Sequence, residues 1–255
     1  MSSKKPLLQA RSITRSFGQV QALRGASFDV YEGEIVALIG DNGAGKSTLV
    51  KCLSGADRPD GGEVLLEGKP VSITSPTHAQ SLGIETVYQD LSLAPDLDPA
   101  ANLFLGRELL KPGLGWLGVL DNSRMQSEAR AAFRELGTEL LSFTAPVASL
   151  SGGQKQNVAV ARSIAWASKV VFMDEPTAAL GVVQREKVLD VIRRVRDKGI
   201  SVVLISHNMP EVIAVADRVE VLRLGQRVAR FEAQQSTVED LVAAMTGALI
   251  QEDVA

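Results

Sequence analysis

The sequence predicts an α/β fold with a mainly parallel sheet, to which an antiparallel β lobe and an inserted α-helical subdomain are attached. Three short apolar segments predict the parallel strands, at residues 35–39, 170–173 and 201–205. Each segment ends in polar or glycine residues that lead into a predicted helix, the alternation typical of a parallel sheet covered by helices. Ligands of such sheets bind at the carboxyl ends of the strands. The residues that follow these segments are therefore the first candidates for a functional site.

Residues 7–32 and 62–75 have a different pattern, with short alternating segments such as Glu63-Val64-Leu65-Leu66-Glu67. Alternation of this kind is typical of antiparallel strands. We therefore assign both ranges to the antiparallel lobe. Between them, residues 47–54 predict a helix that follows the strand at 35–39.

Residues 92–150 show little strand signal and predict the helical subdomain. Apolar residues between 125 and 136 recur at helical spacing. Ser123 and Gln126 have the spacing of a capping box, which places the start of this helix at Ser123.

Three further elements follow in the second half of the chain. Residues 183–198 predict an amphipathic helix, and residues 219–229 alternate around Gly225-Gln226 as in a β-hairpin. Ser236 and Glu239 are spaced to cap a last helix.

The length of 255 residues, 45% of them hydrophobic, is sufficient for a buried core and excludes a disordered chain. We expect a single domain over 1–255. Its core is formed by 1–91 and 151–235, its helical subdomain by 92–150, and a final helix and tail by 236–255.

Charge and rare residues exclude several classes of function. The net charge is −3 and there is no basic run, which argues against nucleic acid as a partner. A single cysteine, Cys52, and two histidines exclude a disulfide framework and a cysteine- or histidine-rich metal site. No apolar run approaches the roughly 18 residues of a membrane span. Composition thus predicts a soluble, intracellular globular protein.

Residues 40–47, Gly-Asp-Asn-Gly-Ala-Gly-Lys-Ser, match the phosphate-binding pattern G-x-x-x-x-G-K-[ST] in full, between a predicted strand and a predicted helix. Glycines allow backbone N–H groups to approach phosphate oxygens, and the helix N-terminus adds a partial positive charge. We expect Lys46 to reach the β- and γ-phosphates and Ser47 to ligate Mg²⁺. The core is thus expected to be that of a P-loop NTPase of RecA-like type. The motif alone leaves kinases, GTPases and several ATPase classes open.

Asp174 and Glu175 follow the second apolar strand. A carboxylate at a strand end near a phosphate loop is placed to hold Mg²⁺, which we assign to Asp174. Adjacent side chains at a strand end diverge, so that Glu175 can face an attacking water and act as general base.

The segment Leu150-Ser151-Gly152-Gly153-Gln154 narrows the class further. In combination with the phosphate loop and Asp174-Glu175, it resembles the signature of the ATP-binding subunits of ABC transporters, and the resemblance extends from about residue 7 to about 245. It implies ATP and Mg²⁺ as cofactors, and a homodimer in which each signature completes the ATP site of the other chain. The loop and the resemblance together assign ATP contacts to Phe17, Gly40, Asp41, Asn42, Gly43, Ala44, Gly45, Lys46, Ser47, Thr48, Ser151, Gly152, Gly153 and Gln154.

The resemblance also implies roles for isolated residues. Gln89 lies where the family's glutamine approaches Mg²⁺ and the attacking water, and His207 lies where its switch histidine contacts the γ-phosphate. Phe17 matches the aromatic residue that stacks on adenine, for which tyrosine is common in the family. The expected catalytic residues are thus Glu175, His207, Gln89 and Lys46, and the expected metal ligands Ser47, Gln89 and Asp174.

One position departs from the family pattern. The family usually has an aspartate where this chain has Gly181, in a loop that contacts the partner's phosphate loop. The departure puts the strength of communication between two ATP sites in doubt.

Three segments look like ATPases of bacterial monosaccharide importers for sugars such as ribose, xylose or fructose: 39–45, 174–182 and 206–210. The resemblance implies a peripheral ATPase on the cytoplasmic face of the cell membrane. Its partners would be integral-membrane permease subunits, a second copy of the chain and, indirectly, a sugar-binding protein. Alternatives are an importer of another small solute, such as an amino acid, and a non-transport ABC ATPase.

Overall fold

Two sheets and the helices that cover them make up the protein, which is described here from a computed structural model. The structure describes residues 5–87, 92–113, 117–137, 140, 142–178 and 180–251. In these ranges the strands are β1 Leu8–Phe17, β2 Val20–Val30, β3 Ile35–Ile39, β4 Gly61–Leu66, β5 Lys69–Pro70, β6 Ile84–Val87, β7 Val170–Asp174, β8 Ser201–Ile205, β9 Arg218–Arg223 and β10 Gln226–Glu232. The α-helices are α1 Lys46–Leu53, α2 Pro76–Ser81, α3 Pro99–Leu103, α4 Asn122–Glu135, α5 Gly152–Trp166, α6 Val182–Asp197, α7 Met209–Val215 and α8 Val238–Thr246.

The described strands form the two sheets that the sequence predicts. One has the order β10-β9-β3-β8-β7-β6 and is parallel except for β10. The other is antiparallel, with the order β2-β1-β4-β5. The α/β prediction is therefore confirmed, and strands β3, β7 and β8 begin where the three apolar segments begin.

The central strand β3 is buried on both faces. Ile35 and Ile39 belong to a core shared with the helices of the second half of the chain. Val36 and Leu38 point to the opposite face and pack in a core with α1 and the antiparallel lobe. A strand covered on both faces has no polar positions, which explains its uninterrupted apolar sequence.

Residues 92–150 contribute α3 and α4 to the first core, where Phe104 and Phe133 are among the largest fully buried side chains. Helix α5 follows directly and packs against α3, α4 and β6. The division into core and helical subdomain at residue 150 remains a proposal, since α5 contacts both parts.

Two predicted helix starts are wrong. Helix α4 is capped by Asp121 and not by Ser123. The Asp121 side chain accepts a hydrogen bond from the Arg124 N–H. The Asp121 N–H donates to the Leu109 carbonyl oxygen at 2.7 Å, which fixes the chain two residues before the predicted cap.

Helix α8 is capped by Thr237 with Asp240, and not by Ser236 with Glu239. The Ser236 hydroxyl instead donates to the Glu232 carbonyl oxygen at 2.8 Å, so it is not available as a cap.

The predicted hairpin exists as β9 and β10, with Leu224-Gly225 at its turn instead of Gly225-Gln226.

A buried cluster of ion pairs joins the two sheets. Arg218 contacts Glu34 at 2.9 Å and Glu220 at 2.7 Å, and its guanidinium donates to the Asp29 carbonyl oxygen. The Glu220 side chain is 1% exposed and also contacts Arg227 at 3.2 Å. Because removal of one partner leaves a buried charge under-compensated, this cluster is sensitive to single substitutions.

Replacement of Arg218 with methionine is expected to lower the free energy of unfolding by about 3 kcal/mol, since it leaves Glu34 and Glu220 short of a partner. Chemical denaturation measures the change. The control is Arg193→Met, which removes an exposed ion pair with Asp190 and is expected to cost less than about 1 kcal/mol. Equal losses in the two variants would contradict the prediction.

None of the helices in the described ranges is long and apolar enough to cross a membrane.

Candidate functional site

The phosphate-binding sequence forms the loop between β3 and α1. Gly40 and Gly45 have φ values of +154° and +100°, in the region that favours glycine. A Cβ at Gly40 would collide with the Leu222 carbonyl oxygen, and one at Gly45 would lie 2.7 Å from the Ala22 carbonyl oxygen. These glycines are therefore required by the close approach of β2 and β9 to the loop.

The turn between β9 and β10 supports the same loop through its backbone. The Gly225 N–H donates to the Ala44 carbonyl oxygen at 3.0 Å, and the Arg24 N–H donates to the Gly225 carbonyl oxygen at 2.8 Å. The phosphate loop is thus hydrogen-bonded to a turn nearly 180 residues away in the chain.

An open cavity of about 810 Å³ lies over the loop at the carboxyl ends of the parallel strands. It brings together the predicted phosphate loop and the predicted metal and catalytic residues Asp174, Glu175 and His207. Its lining consists of Val20, Gln21, Ala22, Gly40, Asp41, Asn42, Gly43, Ala44, Gly45, Lys46, Ser47, Thr48, Asp174, Glu175, Ile205, His207 and Met245. Five lining residues were not predicted, because their residue types carry no signal for nucleotide binding: Val20, Gln21, Ala22, Ile205 and Met245.

Lys46 bends back over the loop. Its Nζ donates to the carbonyl oxygens of Gly40 at 2.8 Å and Asp41 at 3.1 Å. Burial lowers the pKa of Lys46, while the carboxylates of Glu175 and Asp174 oppose that shift. The ammonium is therefore a partly desolvated cation beside the space where phosphates would lie.

Two of the three residues assigned to Mg²⁺, Ser47 and Asp174, lie in the described ranges, and they fit that ion. Asp174 and Ser47 line the same cavity and offer the oxygen donors that Mg²⁺ prefers. Burial first, and then the neighbouring Glu175 carboxylate, raise the pKa of Asp174. A bound cation would oppose both effects, because it stabilises the ionised carboxylate. The described residues contain no cluster of three or more metal-ligating side chains. Mg²⁺ in nucleotide sites is usually held by one or two protein oxygens together with phosphates and water.

Glu175 has a left-handed backbone conformation, with φ +50°. A residue with a Cβ is uncommon there, and such strain is concentrated at functional sites. Its N–H donates to the Ile205 carbonyl oxygen at 2.9 Å, and its Oε1 lies 3.0 Å from the His207 Nδ1. The ends of β7 and β8 therefore hold two of the predicted catalytic side chains in contact, and both side chains line the cavity.

Glu211 connects the segments that follow Glu175 and His207. It accepts hydrogen bonds from the Thr177 hydroxyl at 2.6 Å and the Asn208 amide at 2.8 Å. Sequence reasoning missed this residue, although its position three residues after the Asn208 cap of α7 is a signal for a capping interaction.

Phe17 lies at the end of β1, opposite Val20 in the register of the two strands, and is 48% exposed. It is not among the residues that line the cavity, whereas Val20 is. Its role in stacking on adenine stays a prediction.

The signature residues form the start of α5. Ser151 caps the helix in a capping box with Gln154, and Ser151 and Gly152 are exposed. None of residues 151–154 is among the described residues that line the cavity. Gln89 lies in 88–91, outside the described residues, and its predicted position is untested.

A second open cavity of about 700 Å³ lies between β6, α5 and residues 103–107. Thr86 and Ser92, on either side of residues 88–91, both line it. In this cavity the Glu85 carboxylate accepts a hydrogen bond from the Arg107 guanidinium at 2.9 Å. Burial raises the pKa of Glu85, and the nearby arginine opposes that shift.

Comparison with known proteins gives a consistent result. The sequence profile described as ABC transporter matches residues 23–178. The chain is 52% identical over 249 residues to the fructose import ATP-binding protein FrcA of Rhizobium meliloti, and the match covers 96% of each chain. It is 44% identical over 240 residues to the xylose/arabinose import ATP-binding protein XylG of Sulfolobus acidocaldarius, covering 94% of each chain.

The chain is also 42% identical over 248 residues to the ribose import ATP-binding protein RbsA 1 of Rubrobacter xylanophilus. That match covers 97% of this chain and 48% of the relative, so the chain spans about half its length. Among solved structures, a nucleotide-free ATP-binding cassette from an ABC transporter has a TM-score of 0.80 at 25% identity, covering 95% of this chain and 96% of the other. An ATP-binding cassette in its ADP conformation gives the same TM-score and identity, covering 95% of each.

Proposed function

The chain belongs to the ABC transporter family, and we propose that it is the ATP-hydrolysing subunit of an importer for a monosaccharide. One observation supports the hydrolytic part above all others: a single cavity contains Lys46, Ser47, Asp174, Glu175 and His207. The sugar is inferred from relatives named as import proteins for fructose, xylose/arabinose and ribose.

The residues of the cavity divide the chemistry among them. Lys46 provides a cation for the terminal phosphates, while Ser47 and Asp174 would hold Mg²⁺, which neutralises phosphate charge when it is bound. Glu175 accepts the proton of the attacking water, and the contact with His207 orients its carboxylate. The strained backbone of Glu175 fixes the direction of the side chain before ATP binds.

The exposed signature supports a dimer as the active unit. Ser151 and Gly152 lie at the N-terminus of a 15-residue helix, a position that favours binding of an anion. Neither residue lines the nucleotide cavity of the same chain. Two chains related by a two-fold axis would place each signature over the other's phosphate loop. The exposed Val182 and Val183 begin α6 directly after Gly181, which belongs to the loop expected to contact the partner's phosphate loop.

The second cavity is the proposed contact with the membrane partner. Its lining includes Thr86 and Ser92, which flank residues 88–91 in the sequence, together with the β6 edge of the sheet and residues 103–107. A permease segment bound there would connect movement of the helical subdomain with the nucleotide site. The protein would thus act as a peripheral subunit on the cytoplasmic face of the cell membrane, while a separate binding protein captures the sugar.

Deletion of the gene in its host tests the proposal. We expect loss of uptake of at least one of the labelled sugars fructose, ribose, xylose and arabinose, with restoration by the wild-type chain and not by the Glu175→Gln variant. Labelled amino acids serve as the control. If uptake of all four sugars is normal and uptake of amino acids is lost, the transported solute is an amino acid and not a monosaccharide. If uptake of the sugars and of the amino acids is normal, the chain serves an importer of neither kind.

A further inference from the structure

Arg15 covers one face of the Phe17 ring. The guanidinium carbon lies 4.7 Å from the ring centroid, within the range of a cation–π contact. The ring itself is 48% exposed and stands at the end of β1, beside the cavity residue Val20. One face of the aromatic ring is thus occupied by a cation, and the other is accessible to a planar ligand.

Two aspartates hold the guanidinium in this position. Arg15 donates from Nε and Nη2 to Asp57 at 3.0 and 2.8 Å, and from Nη1 to Asp60 at 2.7 Å. The hydrogen bond to Asp57, followed by that to Asp60, raises the pKa of Arg15 above its ordinary value. A guanidinium bound on several nitrogens cannot rotate freely, because its donors form a planar fork.

The aspartates belong to the segment that leaves α1, the helix that begins at the phosphate loop. The Asp57 N–H donates to the Lys51 carbonyl oxygen at 3.0 Å, in the last turn of α1. Asp60 accepts from the Ser16 N–H at 2.7 Å, next to Phe17. The phosphate loop and the Phe17 ring are therefore connected through one short helix and one charged clamp.

We propose that Arg15 is a positioning residue for nucleobase binding, which holds the Phe17 ring so that its free face stacks on adenine. The proposal rests on the proposed function, since it takes ATP as the ligand. A phenylalanine ring has no hydroxyl through which a hydrogen bond could fix its orientation, and the clamped guanidinium supplies that restraint. Without Arg15 the ring gains side-chain freedom that must be lost again when the base binds.

The test compares the affinities for Mg-ATP and for inorganic tripolyphosphate by calorimetry, in the full-length chain. Arg15→Ala is expected to weaken ATP binding about three- to tenfold, the size of effect that loss of one cation–π restraint produces. Binding of tripolyphosphate, which has no base, is expected to be unchanged. In a Phe17→Ala background the same substitution is expected to have no further effect on ATP.

The matched control is Arg11→Ala on the same strand. That arginine forms a 3.8 Å ion pair with Glu63 and donates from Nε to the Gln9 side chain at 2.8 Å, and the side chains of Arg11 and Glu63 are about half exposed. The control substitution is expected to leave both affinities unchanged. The proposal is overturned by any of three results for Arg15→Ala: ATP affinity within twofold of wild type, equal losses for ATP and tripolyphosphate, or an undiminished effect in the Phe17→Ala background.

If Arg15→Ala does not fold, as judged by thermal melting, Arg15→Lys replaces it, since lysine keeps the charge but cannot bind both aspartates through a fork. The same three criteria then apply to that variant. Wild-type binding is measured first, because a chain that does not bind ATP at all would refute the proposed function, whereas ATP binding that is indifferent to Arg15 refutes only this inference.

Discussion

Glu175→Gln is expected to lower ATP turnover by about 10²–10⁴-fold, the usual contribution of a general base. The amide has the shape of the carboxylate and can still hydrogen-bond to His207, but it cannot accept a proton from water. ATP binding and ATP-dependent dimerisation are expected to persist, because Lys46 and the phosphate loop are unaltered. Phosphate release measures turnover, and analytical ultracentrifugation with and without Mg-ATP measures the dimer.

The matched control is Glu186→Gln, which changes an exposed carboxylate on α6 in the same way. It is expected to turn over ATP at the wild-type rate. If Glu175→Gln retains turnover within a few-fold of wild type, Glu175 is not the base. If the variant loses turnover and the ATP-dependent dimer together, the defect lies in assembly and not in proton transfer.

Lys46→Ala is expected to weaken ATP binding by about 10- to 100-fold, which corresponds to one charge-assisted hydrogen bond of about 1.5–3 kcal/mol. The loss leaves the Asp174 and Glu175 carboxylates facing the phosphates without the cation that offsets them. Unlike Arg15→Ala, this variant is expected to lose affinity for tripolyphosphate to the same extent as for ATP. Calorimetry with the two ligands measures both affinities.

Lys51→Ala, on the exposed side of the same helix, is the control and is expected to bind ATP as the wild type does. Thermal melting of the two variants separates loss of affinity from loss of fold. A Lys46→Ala variant that melts like wild type and binds ATP as tightly would show that the cavity over the phosphate loop is not the ATP site.

The sequence alone predicts those parts of the site that are contiguous in the chain. Residues 40–47 are recognisable because backbone geometry, helix start and ligand contacts all depend on neighbouring residues. The strand ends before Glu175 and His207 are recognisable because buried parallel strands have uninterrupted apolar sequences. The 3.0 Å contact between these two residues follows only from the pairing of β7 with β8.

Other features depend on partners far apart in the chain and carry no local signal. Arg15 and Asp57 are 42 residues apart, and nothing in either segment indicates that they meet. Likewise, Met245 enters the nucleotide cavity because α8 packs beside β9, a matter of tertiary structure. The caps of α4 and α8 were misplaced for a related reason. In both cases neighbouring polar residues could act as the cap, and a hydrogen bond to the backbone of a preceding residue decided between them.

The hydrogen bonds that join Gly225 to Ala44 and to Arg24 have a consequence for the energetics of nucleotide binding. A glycine-rich loop that was free in solution would have to give up many conformations whenever a nucleotide arrived. Here the loop is restrained by β2, β9 and the hairpin turn as the chain folds, so nucleotide binding requires little further ordering. The same bonds make the phosphate site part of the cooperative core, so affinity for ATP is expected to persist on heating until the β9–β10 hairpin and the sheet that contains it unfold together.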